Sequence, residues 1–263
     1  MKKFVVLVFL GTLSLVASQA QNPPPASDPR ALALAAQSIA ALTGGTPISD
    51  VTLSGNATWI AGSDNEIGSV TLMAKGTGES RVDLNLSGGT RTDIRNDTAG
   101  DPGGASATNG GSLQLWAFHN CWTTASWFFP ALSSLSGSNP NIVLSYVGLE
   151  NRSSNSLHHI RSYRYLASSH TQVTTVIQQL STVDFYLDAK SLLPITMIFN
   201  VHPDDDENLN IPVEVDFTNY QSSSGVQVPM HIQKYLQGGL VLDITVTGIS
   251  VNSGLSDSAF QIQ

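Results

Sequence analysis

The chain has 263 residues, including 33 Ser and 21 Thr, and only 12% of them are charged, about half the roughly 25% of an average soluble domain. Its formal net charge is −8, so it lacks the basic surface with which nucleic-acid-binding proteins neutralise phosphates. We therefore expect no nucleic-acid partner. The 41% of hydrophobic residues is enough for a globular fold and argues against wholesale disorder.

The first twenty residues have the pattern of an export signal. Lys2-Lys3 precedes an apolar run over 4–16, and Ser18-Gln19-Ala20 follows as a small-residue cleavage site. The run is shorter than the about 20 residues that cross a bilayer, although an N-terminal membrane anchor is the alternative. We predict a signal peptide over 1–20, cleaved after Ala20. The mature chain is then expected in the periplasm or outside the cell, without a transmembrane segment.

A short spacer and one helix are predicted next. Residues 21–28 are rich in proline and have no apolar periodicity. Asp28 is a residue type that caps helices, and Pro29 suits the first helical position. Apolar residues follow at helical spacing until Gly44-Gly45, so the sequence predicts an amphipathic helix over 29–43.

Apolar and polar residues alternate in most segments after Val51, which is typical of half-buried antiparallel strands. Turn-forming residues separate these segments without any change in composition. We predict one mainly β (α+β) domain over 29–263: a highly curved antiparallel sheet, or half-barrel, of about 10–11 strands covered by a few helices. The apolar phase places these residues inward: Trp59, Leu84, Leu86, Phe199, Val215, Met230, Leu242 and Ile244.

The last strand changes its apolar phase near Gly248. Residues 240–246 are apolar at even positions, whereas Ile249 and Val251 continue the pattern at odd positions. An extra residue in one strand, a β-bulge, produces such a change, and glycine suits it by reaching positive φ. The alternative is that the strand ends at Thr247.

Three further segments depart from two-residue alternation. Residues 97–112 are rich in Gly, Ala, Asp and Asn and are predicted to form a loop. Residues 113–137 form the densest aromatic stretch of the chain and contain no charged residue, which predicts a helical hairpin or a short helix pair broken near Asn120 and Pro130. Apolar residues at helical spacing predict a second helix over 169–181.

Residue types that catalyse reactions are present without the spacing that the chemistry needs. Cys121 is the only cysteine, which excludes an intramolecular disulfide, and one nearby histidine does not make it a nucleophile. The acidic run 204–207 is better explained as a solvated turn than as a calcium loop, whose ligands alternate. His158 and His159 face opposite sides of a predicted strand and cannot bind one metal together. We predict no enzymatic activity, no cofactor and no metal site.

A curved sheet with an apolar concave face can instead enclose a hydrophobic ligand, such as a lipid or an acyl chain. The alternative is an envelope protein-interaction module whose core is filled, with the aromatic segment serving only as its cover. The first hypothesis predicts a cavity lined by Trp59, Leu84, Leu86, Trp116, Trp122, Trp127, Phe128, Phe199 and Met230.

The C-terminal third carries two recognisable patterns. VDFYLDAKSLLPITMIF (183–199) has a strand, an Asp turn and a Leu-Pro return, and residues 215–260 have a spacing given by Tyr220, Gly225, Val226, Pro229, Gly238, Asn252 and Phe260. In these patterns the chain resembles the LolA/LolB-like lipoprotein-carrier superfamily, whereas the N-terminal two-thirds match it in element order. The resemblance implies a half-barrel of about eleven strands that holds acyl chains under helices. It therefore implies a distant exported member whose partner is a lipid or a lipoprotein acyl chain.

Overall fold

The computed structural model describes residues 25–262, except residues 77, 99–100, 138, 153–154, 167 and 169. The predicted signal peptide and the first four residues of the predicted spacer lie outside the described residues. The rest of the spacer leads without regular structure into the first helix.

Helix α1 spans Pro29–Thr43, as the sequence predicts. The Asp28 side chain accepts hydrogen bonds from the backbone N–H of Arg30 (2.7 Å) and Ala31 (3.2 Å), which satisfies two free donors of the first turn. Gly44 ends the helix in the left-handed conformation with φ of 60°. Helix α2 spans Thr171–Leu180, inside the predicted range. In the described part of the chain, no helix has both the length and the apolarity to cross a membrane.

One antiparallel sheet of thirteen strands makes up most of the protein. The strand order is β6-β5-β4-β3-β2-β1-β13-β12-β11-β10-β9-β8-β7, with β6 and β7 at the edges. The strands are β1 Asp50–Ala61, β2 Asp64–Lys75, β3 Glu79–Leu86, β4 Gly89–Thr98, β5 Asp101–Thr108, β6 Gln114–Leu115, β7 Ile142–Arg152, β8 Asn155–Arg164, β9 Val183–Asp188, β10 Pro194–Val201, β11 Ile211–Ser223, β12 Val226–Leu236 and β13 Gly239–Val251. The half-barrel architecture is confirmed, and the sheet exceeds the predicted 10–11 strands because of β4, β5 and β6.

The core lies between the concave face of the sheet and a cover made of α1 and the aromatic segment. Ala31, Ala35 and Leu42 of α1 and Phe128 and Phe129 of the segment are all buried in it. The predicted register is confirmed. Six of the eight residues predicted to face inward are buried: Leu84, Leu86, Phe199, Val215, Leu242 and Ile244. The other two, Trp59 and Met230, are half-buried against the same core.

The prediction of a loop over 97–112 is wrong, because the end of β4 and all of β5 lie there. Backbone pairing with β4 holds β5 in the sheet although Gly and Ala have low strand propensity. The small residues have a packing role. A Cβ at Gly104 would lie 2.5 Å from Cε3 of Trp116, so only glycine lets that indole lie against β5.

The prediction of a helical hairpin or a short helix pair over 113–137 is also wrong, because no α-helix forms among the described residues of this segment. The described residues of this segment form strand β6 and three short 3-10 helices, Phe118–Cys121, Pro130–Leu132 and Ser134–Ser136. Its Ser, Thr, Asn and aromatic residues are weak helix formers, and hydroxyl groups take over the backbone bonding. Ser126 Oγ donates to the carbonyl of Leu132, and Ser133 Oγ to that of Pro130, both at 2.7 Å.

The phase change in β13 is a β-bulge, as predicted. Ser54 of β1 pairs with Gly248 and the next residue, Gly55, pairs with Val246, so Thr247 is the extra residue. Ile249 and Val251 are thereby kept against the core. The predicted reason for the glycine is wrong, because Gly248 is not among the residues with positive φ. A Cβ at Gly248 would instead lie 2.4 Å from Ser54 Oγ.

Candidate ligand-binding site

Two adjoining cavities of about 290 Å3 and about 250 Å3 open on the concave face of the sheet. The two cavities share four lining residues, Val82, Asp93, Trp127 and Lys234. They therefore form one cleft, which we call the concave cleft. The larger cavity continues along Arg95, Trp116, Phe199, Val201 and His202, and the smaller one along Trp59, Leu84, Arg91 and Leu242. Six strands separate β4 from β10 in the sheet order, yet both contribute to the larger cavity, so the sheet curls strongly.

The β3–β4 hairpin places a row of charges in the cleft. Its register pairs Leu84 with Arg91, Val82 with Asp93 and Ser80 with Arg95. Directly opposed residues of antiparallel strands point to the same face. The inward-facing residues of β3 are mainly apolar and belong to the concave face. The residues of β4 opposite them therefore face inward too, and they are Arg91, Asp93 and Arg95.

Lys234 enters the cleft from β12, on the opposite wall. It pairs with Val215 of β11 and Leu242 of β13, so it occupies an inward, mainly apolar position. Its Nζ lies 4.5 Å from the ring centre of Trp127, within cation–π distance. Arg91 makes a similar contact with Trp59, at 3.8 Å, and an ion pair with Glu66 at 3.2 Å.

The protein surroundings of the cleft disfavour charge. Burial raises the pKa of Asp93 and lowers the pKa of Lys234. Burial also lowers the pKa of Arg95 to about 10, which leaves its guanidinium charged at neutral pH. Each direction has the same cause, because a low-dielectric environment stabilises the neutral form of an acid or a base.

Arg95 ties the aromatic segment over the cleft. Its Nη2 donates to the carbonyl oxygens of Cys121 (2.5 Å) and Thr123 (3.0 Å), and its guanidinium lies 5.7 Å from the ring of Trp116. Asn120 makes two hydrogen bonds of 2.8 Å with the backbone N–H and C=O of His202. These contacts hold the segment to β4 on one side and to the end of β10 on the other.

The structure brings five of the nine predicted cavity residues together in the concave cleft: Trp59, Leu84, Trp116, Trp127 and Phe199. The other four lie elsewhere. Leu86 and Phe128 are in the packed core, Met230 is half-buried against that core, and Trp122 packs with Ile177 and Leu180 near α2. Ligand contact by any of the nine stays a prediction.

The charged side chains on the strands of the cleft were not predicted to face inward; they are Arg91, Asp93, Arg95 and Lys234. A signal for the first three exists. The two-residue turn Ser87-Gly88 directly follows the strand whose inward side chains are Val82, Leu84 and Leu86, and a hairpin of this length fixes the register of the next strand. That register alone places 91, 93 and 95 on the apolar face.

Cys121 and the acidic run 204–207, considered above for chemistry, lie in different surroundings. Cys121 is buried, and burial raises the pKa of its thiol, which favours the unreactive protonated form. The acidic residues 204–207 are exposed in the turn between β10 and β11. No group of three His, Cys, Asp or Glu side chains among the described residues is arranged to hold a metal ion.

A second apolar depression lies outside the sheet, between α2 and the first 3-10 helix. This α2 groove has a volume of about 710 Å3 and is lined by Phe118, Trp122, Val173, Val176 and His170, among others. Phe118 and Val173 are exposed. It is the larger apolar opening, but charged groups do not converge on it, since Glu207 is its one acidic or basic lining residue in the described part of the chain apart from histidines.

The chain matches no protein-family model and no curated protein. Solved structures do resemble it. A DUF1329 family protein from Desulfovibrio piger has a TM-score of 0.56 and 12% identity, covering 90% of this chain and 98% of that one. A putative outer membrane lipoprotein-sorting protein domain from Vibrio parahaemolyticus has a TM-score of 0.55 and 11% identity, covering 87% and 95%. A LolA superfamily protein from Nitrosomonas europaea has a TM-score of 0.54 and 11% identity, covering 88% and 97%. These likenesses establish a LolA-like fold.

Proposed function

We propose that this chain, which has a LolA-like fold, is an exported, non-enzymatic protein that binds a hydrophobic ligand, a lipid or an acyl chain, in the concave cleft. The observation that carries the proposal is the cleft itself. Its two joined cavities of about 290 Å3 and about 250 Å3 lie under aromatic side chains on the face that a filled core would close.

The size and walls of the cleft support a single-chain ligand. Small-molecule sites are commonly clefts of about 300–1,000 Å3 with mainly apolar walls and a few polar groups. Trp116, Trp127 and Phe199 line the larger cavity, and Trp59 and Leu84 the smaller one. Rigid aromatic walls of this kind bury an alkyl chain without losing much side-chain entropy of their own.

The neighbouring structures support the proposed setting. One is a LolA superfamily protein and another is a putative outer membrane lipoprotein-sorting protein domain. An envelope location agrees with the predicted leader over 1–20, and acyl chains are the ligand class that such a location would supply. A shared fold does not by itself identify a ligand, so the proposed ligand class is argued mainly from the size and walls of the cleft.

A chain-length series tests the proposal. We expect saturable one-to-one binding of single-chain alkyl ligands to the delipidated protein. Affinity should rise about fourfold per added methylene until the cleft is full, because burying one CH2 contributes about 0.8 kcal/mol. Affinity that does not depend on chain length would contradict the proposal.

A matched pair of variants locates the site. Val82 is buried and lines both cavities, so Val82→Phe should occupy the cleft and lower the affinity by about tenfold or more. Val147 is exposed on edge strand β7, so Val147→Phe is the control and should bind as the wild type does. Equal binding by both variants would place the ligand elsewhere.

Edge strand β7 supports the alternative, an envelope protein-interaction module. Among the described residues, Leu144 is the one residue of this strand with hydrogen bonds to the segment before α1. Its N–H donates to Ser27 Oγ, and its carbonyl accepts from the Asp28 N–H. Val147 and Leu149 are exposed beyond that point. An added strand from a partner could pair there. A Val147→Lys variant that loses a co-purifying envelope protein, with alkyl ligands failing to bind, would favour this function.

A further inference from the structure

Lys234 is a cation without an anionic partner in a largely apolar wall. It is half-buried, its strand neighbours are Val215 and Leu242, and its ammonium has no hydrogen bond or ion pair with any described residue. Asp93 lines the same two cavities, but the two side chains do not form an ion pair. A gap therefore separates the acid from the base across the cleft.

The cleft gathers basic residues of an acidic protein. Three of the twelve Lys and Arg residues, Arg91, Arg95 and Lys234, line it, although the net charge of the chain is −8. Glu66 neutralises Arg91. Arg95 is only 8% exposed and its Nη2 is bonded to uncharged carbonyl groups. Two acidic residues line the cleft: Asp93 lines both cavities, and Asp204 lines only the larger one, from an exposed turn. Neither forms an ion pair with Lys234, so the ammonium at the junction of the two cavities has no anion in contact with it among the described residues.

An unpaired cation such as the Lys234 ammonium is unfavourable in a low-dielectric cleft unless another group compensates its charge. The Trp127 ring compensates part of the cost for Lys234 through the cation–π contact. A ligand anion of one charge would compensate the remainder, and it would gain more from this contact than it would in water.

We propose that the ligand of the concave cleft is a single-chain amphiphile with a compact monoanionic head, a fatty carboxylate being the simplest, and that the head binds at Lys234. This proposal rests on the proposed function and specifies its ligand class. Lys234 lies where the two cavities join, so a head placed there leaves the chain free to follow the aromatic wall of Trp116, Trp127 and Phe199. Asp93 faces the same point and would repel a dianionic head.

Head-group comparison on the unaltered full-length protein is the first test. Dodecanoate, 1-dodecanol and dodecyl phosphate have the same chain, and each can be measured by displacement of a neutral fluorescent probe from the delipidated protein. We expect dodecanoate to bind at least about tenfold more tightly than dodecanol, and more tightly than dianionic dodecyl phosphate at about pH 8. Equal affinity of dodecanoate and dodecanol overturns this inference and leaves the proposed function standing. Failure of all three to bind overturns the proposed function.

A charge-removing variant assigns the effect to Lys234. Lys234→Met removes the charge but keeps an unbranched side chain, one atom shorter, that can still pack on Trp127. We expect it to lower dodecanoate affinity about tenfold while dodecanol affinity is unchanged. Lys190→Met removes the same charge from an exposed turn and should alter neither affinity. Equal loss of dodecanoate affinity in both variants would show a general charge effect and would overturn the assignment. If Lys234→Met does not fold, the head-group comparison above still decides the inference.

Discussion

Trp127 and Phe128 are neighbours in the chain with opposite roles, and substitutions by alanine should separate these roles. Their rings are perpendicular, with centroids 5.5 Å apart. Phe128 is fully buried in the core under the aromatic segment, whereas Trp127 is half-buried between the two cavities of the concave cleft. One side chain therefore supports the fold, and the other forms a wall of the proposed site.

The expected magnitudes follow from these surroundings. Phe128→Ala leaves a closed void in a packed core and should lower the free energy of unfolding by about 3–5 kcal/mol. Trp127 already borders open space, so its removal creates no new closed void. Trp127→Ala loses part of the ring burial and the cation–π contact with Lys234, and should cost about 1–2 kcal/mol.

Urea unfolding followed by circular dichroism measures the stability difference, and probe displacement measures binding. We expect Phe128→Ala to bind an alkyl ligand as the wild type does under conditions where it is folded. Trp127→Ala should lose about tenfold in affinity despite its smaller effect on stability. Equal stability losses with unchanged ligand affinity in Trp127→Ala would refute the assignment of this residue to the cleft.

Three further predictions concern the stability of the fold. Asp28→Ala removes the N-cap of α1 and should lower the free energy of unfolding by about 1 kcal/mol in urea unfolding, whereas Asp28→Asn should cost less. Burial opposes the charge of His159, but hydrogen bonds to Asp184 (2.7 Å) and Glu150 (2.5 Å) outweigh it and raise the pKa above its ordinary 6.5. The stabilisation by these contacts is full below pH 6.5 and is lost as the pH rises through the raised pKa of His159. His159→Gln should therefore lower the free energy of unfolding more at about pH 5.5 than at about pH 9. The reverse order would contradict the pairing. Gly104→Val should displace Trp116 and cost about 1–3 kcal/mol, with a change in tryptophan fluorescence, and an unchanged spectrum would refute that contact.

Local rules predicted the parts of the fold that depend on one segment and its own periodicity. Asp28 and Pro29 begin α1 and Gly44 ends it, because caps and breakers act within one turn. The bulge at Thr247 was visible because the core forces the apolar phase of β13 to resume at Ile249. The resemblance to LolA-like proteins, carried by 183–199 and 215–260, predicted the architecture of the whole sheet.

Tertiary contacts decided the parts that sequence patterns missed. Strand β5 is rich in weak strand formers, and it forms because β4 pairs with it and because Trp116 packs against Gly104. The aromatic segment is held by Arg95 and Asn120 rather than by helical hydrogen bonds. The aromatic half of the cleft was predicted, because aromatic side chains stand out in the sequence. The charged half was not. Charges on an alternating strand, by contrast, ordinarily indicate a solvent-facing side.

The position of a bound alkyl chain decides whether the concave cleft is the binding site. A fatty acid carrying a photoreactive diazirine on its chain would be bound to the delipidated protein, irradiated, and mapped by peptide mass spectrometry. We expect cross-links to the peptides that carry Val82, Trp127 and Phe199, and competition by unlabelled dodecanoate. Cross-links confined to Phe118 and Val173 would place the chain in the α2 groove and would contradict the assignment of ligand binding to the concave cleft.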